Sequence, residues 1–158
     1  MVAVMVAGGE VNKRNRGKTD PCKQTLMATK KGLPLKYHFA AADIDPMSEE
    51  AGIEFERRDA TITDMNGKKI FEQKNVMVPK TWSMTATNIV VNKYFRGKVG
   101  SKERENSVEQ LIGRVVETLS QWGEKSSYFA KKQDIETFKA ELAHLLINQK
   151  MAFNSPVW

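Results

Sequence analysis

The sequence predicts a mainly α-helical fold with a small β-hairpin or meander. In two long segments, residues 108–122 and 135–146, apolar residues recur at steps of three and four, the period of a helix with one buried face. Between two short extended segments, Asn66-Gly67 is a strong hairpin signal because both residues tolerate a positive φ. With 158 residues, the chain is long enough for one domain with a modest core.

The start of the chain differs from the rest in pattern and in charge. Residues 1–45 have no sustained period of 2 or 3.6 and are rich in Lys, Gly, Asn and Thr, so we expect a flexible arm before a folded module over residues 46–158. Residues 1–38 contain eight Lys or Arg and two Asp or Glu, a net charge of +6, which equals that of the whole chain. The basic charge therefore belongs to the arm.

The extended segments lie between residues 53 and 79. Residues 60–63 and 69–72 flank the turn over residues 64–67, and residues 53–58 begin with an alternating pattern. A third short segment, residues 76–78, is closed by Pro79 and would extend the hairpin to a meander.

Three helices follow, and their apolar stripes are expected to pack on one another. Trp82 and Trp122 stand at element ends and are expected to anchor the core. Small polar residues can cap the start of a helix, and glycine can end one. Ser83 and Gly97 are therefore assigned to the start and end of a helix over residues 84–95. Ser101 and Gly123 are assigned to the second helix in the same way, and Asp134 to the start of the third.

The stripes of the second and third helices supply most of the predicted core. His144 falls nearly opposite the stripe of its helix and is expected to be exposed or to lie between elements. The stripe residues are Val108, Leu111, Ile112, Val115, Val116, Leu119 and Trp122 on one helix, and Ile135, Phe138, Leu142, Leu145 and Leu146 on the other.

Cysteine and histidine are scarce. Cys22 alone excludes an internal disulfide and indicates a reducing compartment, so we expect the cytoplasm. With only His38 and His144 beside it, the sequence offers no ligand set for a structural zinc. No segment approaches the ~18–20 apolar residues of a membrane helix, and no membrane partner is expected.

The tail has a pattern of its own. A helix must end before Pro156, since the residue preceding a proline is pushed toward extended geometry. Val157-Trp158 then has the pattern of a buried strand's first residues. We interpret the sequence as the front part of a longer protein.

Four blocks of the sequence carry a further signal. They are Ile70–Pro79 with Lys80–Ser83, Ala86–Val90 with Lys93–Gly97, Arg104–Val116, and the tail Gln149–Trp158. In this order they resemble the amino-terminal region of class II, adenosylcobalamin-dependent ribonucleotide reductases, and the resemblance covers roughly residues 55–158.

This resemblance implies a helical amino-terminal module that leads into a ten-stranded α/β barrel absent from this sequence. It implies a ribonucleotide substrate, either a diphosphate or a triphosphate, nucleotide effectors, a homodimer and a thioredoxin-type reductant. In that family a thiyl radical made with adenosylcobalamin acts on the ribose, and a cysteine pair supplies two electrons. Cys22 matches none of those cysteines, so no catalytic residue is assigned in this chain.

One site residue follows from the resemblance. Ser155 aligns with the hydroxyl residue that the family places against the substrate's phosphate end, and a serine hydroxyl can donate to a phosphate oxygen. The alternative is that Ser155 bonds the backbone at a helix end before a proline.

Two other functions stay open from the residues alone. A small nucleic-acid-binding protein could bind phosphates with the basic arm. Residues 1–38 contain no Phe, Trp or Tyr apart from Tyr37, and the rest of the chain is neutral, so a nucleic-acid partner is not expected. A helical interaction protein is the other alternative.

Overall fold

A computed structural model describes residues 32–154 and Val157. Helices predominate over strands in this part of the chain, in agreement with the predicted class. The elements are a 3₁₀ turn (Glu49–Ala51), strands β1 (Phe55–Thr63) and β2 (Lys69–Pro79), and helices α1 (Met84–Lys93), α2 (Val108–Lys125) and α3 (Lys132–Ile147).

β1 and β2 form the predicted antiparallel hairpin. The Asp64 carboxylate accepts the N–H groups of Asn66 and Lys68, each at 2.9 Å, and Gly67 has φ +78°, so the turn depends on the residues that predicted it. The prediction of a separate third strand at residues 76–78 is wrong. This segment continues β2. A bulge at Asn75, whose N–H donates to Asp59 Oδ1 at 2.9 Å, shifts the pairing with β1 without ending the strand.

The helix starts depend on short-range capping bonds. Ser83 caps α1 as predicted, accepting the N–H of Ala86 at 3.1 Å. The assignment of Ser101 to α2 is wrong, since Ser107 caps that helix by accepting the N–H of Gln110 at 3.0 Å. Asp134 lies inside α3 rather than before it, and its carboxylate reaches back to the N–H of Lys131 at 2.7 Å.

The core lies between the hairpin and the three helices. The α2 stripe is buried from Val108 to Val116 and shares one cluster with α3, as predicted. The predicted α3 stripe is only partly right, because its buried apolar residues are Leu142, Ala143, Leu146 and Ile147, whereas Ile135, Phe138 and Leu145 are partly exposed. Trp82 is buried, and its Nε1–H donates to the carbonyl of Ile147 at 2.8 Å. Trp122 contradicts its predicted core position, because 63% of it is exposed where the described residues no longer cover the stripe.

The segment before the hairpin lies along α3. Leu33 forms a parallel bridge with Phe129, and the N–H of Leu35 donates to Asp134 Oδ1 at 2.8 Å. One oxygen of Glu141 accepts three successive backbone N–H groups, those of residues 38–40, at 2.7–3.0 Å. These contacts involve the last part of the predicted arm. Residues 1–31 lie outside the described residues, and the flexibility of the arm stays a prediction.

No helix among the described residues is long and apolar enough to cross a membrane.

Candidate functional site

Ser155, the predicted substrate-binding residue, lies outside the described residues, but Asn154 before it and Val157 after it are described. After α3 the backbone turns at Gln149, with φ 54°, and Met151 donates its N–H to the carbonyl of Leu145 at 3.2 Å. Met151 and Phe153 are partly buried against the core. The N–H of Val157 donates to the carbonyl of Asn154 at 3.0 Å. The core therefore holds the tail as far as Phe153.

A groove of about 410 Å³ lies between α2, the loop after α1 and the tail. We call it the tail groove. Trp122 and Val157 are both substantially exposed there, while Val115 at its base is buried. The groove is lined by Arg96, Arg114, Thr118, Leu119, Trp122 and Val157, with Val115 beneath them.

Arg104 organises the loop between α1 and α2. Its Nε donates to the Gln73 side-chain oxygen at 2.9 Å, and its Nη1 donates to the carbonyl of Gly97 at 2.9 Å. The guanidinium also lies over the Phe95 ring, 5.7 Å from the centroid. Burial lowers the pKa of Arg104, and the charge of Glu105 partly opposes that shift. One cation thus joins the loop to β2 and to the end of α1.

Glu105 and Arg114 form the best-shielded ion pair of the described residues, with side chains 11% and 18% exposed. Arg114 Nε donates to Glu105 Oε1 at 2.7 Å, and the backbone N–H of Arg96 donates to Oε2 at 2.7 Å. Burial acts to raise the pKa of Glu105, but these hydrogen bonds and the charges of Arg114 and Arg96 together outweigh it, so the pKa lies below its ordinary value. The pair fixes Arg114 at the edge of the tail groove.

Gly97 allows the loop to come this close to itself. Its φ is +90°, and an added Cβ would lie 2.6 Å from the carbonyl oxygen of Glu103. Only glycine fits such a position without a shift of the backbone.

The network joins blocks that are separate in the sequence. Gln73, Phe95 and Gly97, and the Arg104–Arg114 segment belong to three of the blocks on which the resemblance was based. From the sequence alone, no role is assigned to Arg104, Glu105 or Arg114. The only sequence signal for them is that charged residues lie next to the apolar stripe of α2, and this pattern does not identify partners without the fold.

His144 lies between elements, as predicted. Its ring stacks on the Phe39 ring with centroids 6.1 Å apart. Lys150, at the start of the tail, places its Nζ 5.3 Å from the centroid of the same Phe39 ring. Cys22 lies outside the described residues.

Comparison with known proteins places this arrangement in a family. Residues 56–149 match the family described as class II vitamin B12-dependent ribonucleotide reductase. The chain belongs to this family. The match begins in β1 and includes the whole charged network, so the shared region is the folded body described above.

The relatives show how much of a reductase this chain represents. The vitamin B12-dependent ribonucleotide reductase of Streptomyces coelicolor is 45% identical over 129 residues, which are 81% of this chain and 13% of that protein. The reductase of Rhodopirellula baltica is 43% identical over 125 residues, 78% of this chain and 12% of that protein. The chain thus spans about an eighth of the length of these relatives.

A different match covers half of the chain. Single-stranded DNA-binding protein 2 of Streptococcus agalactiae is 30% identical over 77 residues, 49% of this chain and 59% of that protein. Single-stranded DNA is commonly bound by five-stranded OB-folds, whereas the described residues form a two-stranded sheet.

Cobalamin is the cofactor that the family name implies, and the described residues do not fit it. The corrin with its nucleotide arm is much larger than ligands for which clefts of ~300–1,000 Å³ suffice. Three clefts in the described part have volumes of about 410–510 Å³. No group of three or more His, Cys, Asp or Glu side chains that could hold a metal ion occurs among the described residues.

Proposed function

We propose that this chain is the amino-terminal part of a ribonucleotide reductase that converts ribonucleotides to deoxyribonucleotides by thiyl-radical chemistry for DNA synthesis. The family match over residues 56–149 carries the proposal. Adenosylcobalamin is the radical source in this proposal, and the catalytic barrel and the cofactor site belong to the rest of the reductase. The chain's own part is structural: it holds the tail against the core.

Within that tail we propose a direct role for Ser155. Its hydroxyl donates to a phosphate oxygen of the substrate, which adds a hydrogen bond without adding charge. The support is the resemblance of the tail together with the packing of the chain against the core as far as Phe153. Gln149, Met151 and Phe153 set the direction in which the tail leaves α3.

The same proposal includes the other partners of a reductase. These are nucleotide effectors, a second copy of the full-length protein in a homodimer, a thioredoxin-type reductant and a cytoplasmic location. Their support is the family alone.

A chimera tests the proposed function. This chain replaces the matched segment of the Streptomyces coelicolor reductase, and deoxyribonucleotide formation is measured with saturating adenosylcobalamin. The chimera should turn over a ribonucleoside diphosphate or triphosphate. Loss of turnover in a folded chimera that still binds the cofactor would contradict the proposal.

The role of Ser155 is tested in the same chimera. Removing one contact from a neutral hydroxyl costs about 0.5–1.5 kcal/mol, or more if it leaves a buried charged partner, so Ser155→Ala should raise KM at least roughly 2- to 12-fold and change kcat little if the contact is equally strong in the ground and transition states. The exposed loop variant Ser101→Ala is the control. An unchanged KM for Ser155→Ala would leave Ser155 as a residue of the helix end.

Binding to single-stranded nucleic acid is the second candidate. The partial match to a single-stranded DNA-binding protein and the basic residues 1–38 favour it. Fluorescence anisotropy with a labelled oligonucleotide should show affinity that falls steeply with salt if the arm neutralises phosphates. A chain without residues 1–38 is the control, and equal weak binding by both would exclude this function.

A further inference from the structure

The apolar stripe of α2 continues past the part that the described residues cover. Val115 is 3% exposed, Leu119 is partly buried, and Trp122 is 63% exposed, although these residues follow one another at helical spacing on one side of the helix. A large aromatic side chain at the end of a core stripe presents apolar surface that is costly to leave in water. This end of the stripe has the character of an interface.

A cation lies beside this apolar surface. Arg114 forms an ion pair with Glu105. Arg96 is exposed and its charge also acts on Glu105, but it forms no ion pair within 4.0 Å with any described residue. Both arginines line the tail groove with Trp122. A partner that fits the groove therefore brings an apolar side chain for the indole and a carboxylate for the Arg96 guanidinium.

The position of the tail indicates which polypeptide supplies the apolar side chain and the carboxylate. Val157 lines the same groove and is 47% exposed, so the last described residue of the tail lies at this surface. In the relatives the matched segment is 12–13% of the protein, so most of a reductase lies outside it. A segment joined to the tail reaches the groove with little loss of chain entropy, unlike a separate molecule.

We propose that the tail groove is the docking surface for the reductase polypeptide that follows the tail, with Trp122 as its anchor and Arg96 as its charge partner. The inference rests on the proposed function, because it needs the rest of the reductase. Docking there would fix the tail, and with it Ser155, between the helical module and the barrel.

Hydrogen–deuterium exchange tests the proposal. The backbone amides of residues 119–126 at the end of α2 are compared in the isolated chain and in the chimera with the Streptomyces coelicolor reductase. We expect exchange to be at least tenfold slower in the chimera. Trp122→Ala should remove most of that protection, and Arg96→Gln should remove part of it. Met65→Ala, at another exposed apolar side chain on the hairpin turn, is the matched control and should change nothing.

Each outcome decides between occupants. Equal exchange in the isolated chain and the chimera would overturn the proposal, and protection that rises with the concentration of the isolated chain would assign the groove to a second copy. Protection that appears only when a nucleotide is added would assign it to a small ligand. An inactive chimera with protected residues 119–126 would refute the proposed function and leave the docking surface, whereas an active chimera without protection would refute the docking surface alone.

Discussion

Glu105 shows how a single carboxylate can decide the geometry of a loop. It receives a guanidinium from α2 and a backbone N–H from the end of the α1 region, at 2.7 Å each. Charged hydrogen bonds of this kind contribute about 1.5–3 kcal/mol each when they are shielded from water. Removing one partner also leaves the other charge poorly solvated, so the pair acts as a unit.

The first prediction concerns the stability of this pair as a function of pH. The folded pKa of Glu105 lies below its ordinary value of 4.5, so its stabilising effect is present above about pH 4.5 and is lost as the pH falls through the folded pKa. Glu105→Gln should lower the free energy of unfolding by about 1–3 kcal/mol at pH 7 and by much less near pH 3. Urea unfolding at several pH values measures this.

The control for this variant is Glu54→Gln. Glu54 pairs with Lys80 at 2.6 Å, but both side chains are largely exposed, so the effect on the free energy of unfolding should be small at every pH. Equal losses for the two variants at pH 7 would contradict the assignment of Glu105 to a shielded network.

The two tryptophans show where residue-level prediction ends. Both stand at element ends, and the sequence predicted core positions for both. Trp82 is buried because α3 offers the carbonyl of Ile147 to its Nε1–H. Trp122 is exposed because nothing described lies across from it. Burial of an aromatic residue depends on the element opposite, and local sequence does not contain that information.

At the level of elements, the α2 stripe should dominate stability. Leu111 is fully buried in the shared core, and Glu109 on the same helix is exposed. Leu111→Ala should cost about 2–5 kcal/mol because it leaves a cavity, whereas Glu109→Ala should stay within about 0.5 kcal/mol. Thermal or urea unfolding of the two variants is the measurement, and similar costs would refute the assignment of the stripe to the core.

Two glycines should respond in opposite directions to alanine. Gly113 lies inside α2 with open space around its missing side chain, so Gly113→Ala should stabilise the protein by about 0.5–1 kcal/mol. Gly97 has a positive φ and no room for a Cβ, so Gly97→Ala should destabilise it by about 1–3 kcal/mol. Chemical unfolding of both variants would show the contrast, and a neutral Gly97→Ala would mean that the loop rearranges freely.

Element starts were predictable where the signal was short-range. Ser83 and the turn at Asp64 act on residues two to four positions away, and both were found from the sequence. Ser107 was missed although its spacing to Gln110 is that of a capping box. The Gln110 side-chain oxygen accepts the N–H of Asn106, one residue before the cap, at 2.8 Å. The length of β2 was not predictable, because a bulge joins segments that look separate.

At the scale of the whole molecule, the charged network and the tail groove could not be predicted because they depend on long-range packing. Arg104 reaches residues on β2 and after α1, and Arg114 reaches the loop from the middle of α2. The order of the blocks indicated the family, but only the fold shows that these blocks contact one another.

The last prediction concerns what the isolated chain does with a ribonucleotide. The proposed chemistry needs a radical cysteine and a separate cysteine pair, and this sequence has one cysteine, Cys22. The isolated chain should therefore form no deoxyribonucleotide, with or without adenosylcobalamin, while the chimera forms it under the same conditions. Chromatographic detection of product after long incubation is the measurement. Turnover by the isolated chain would contradict the expectation. If that turnover also disappeared in Cys22→Ser, the Cys22 thiol would carry the chemistry, and an added reductant would have to supply the electrons of the missing cysteine pair.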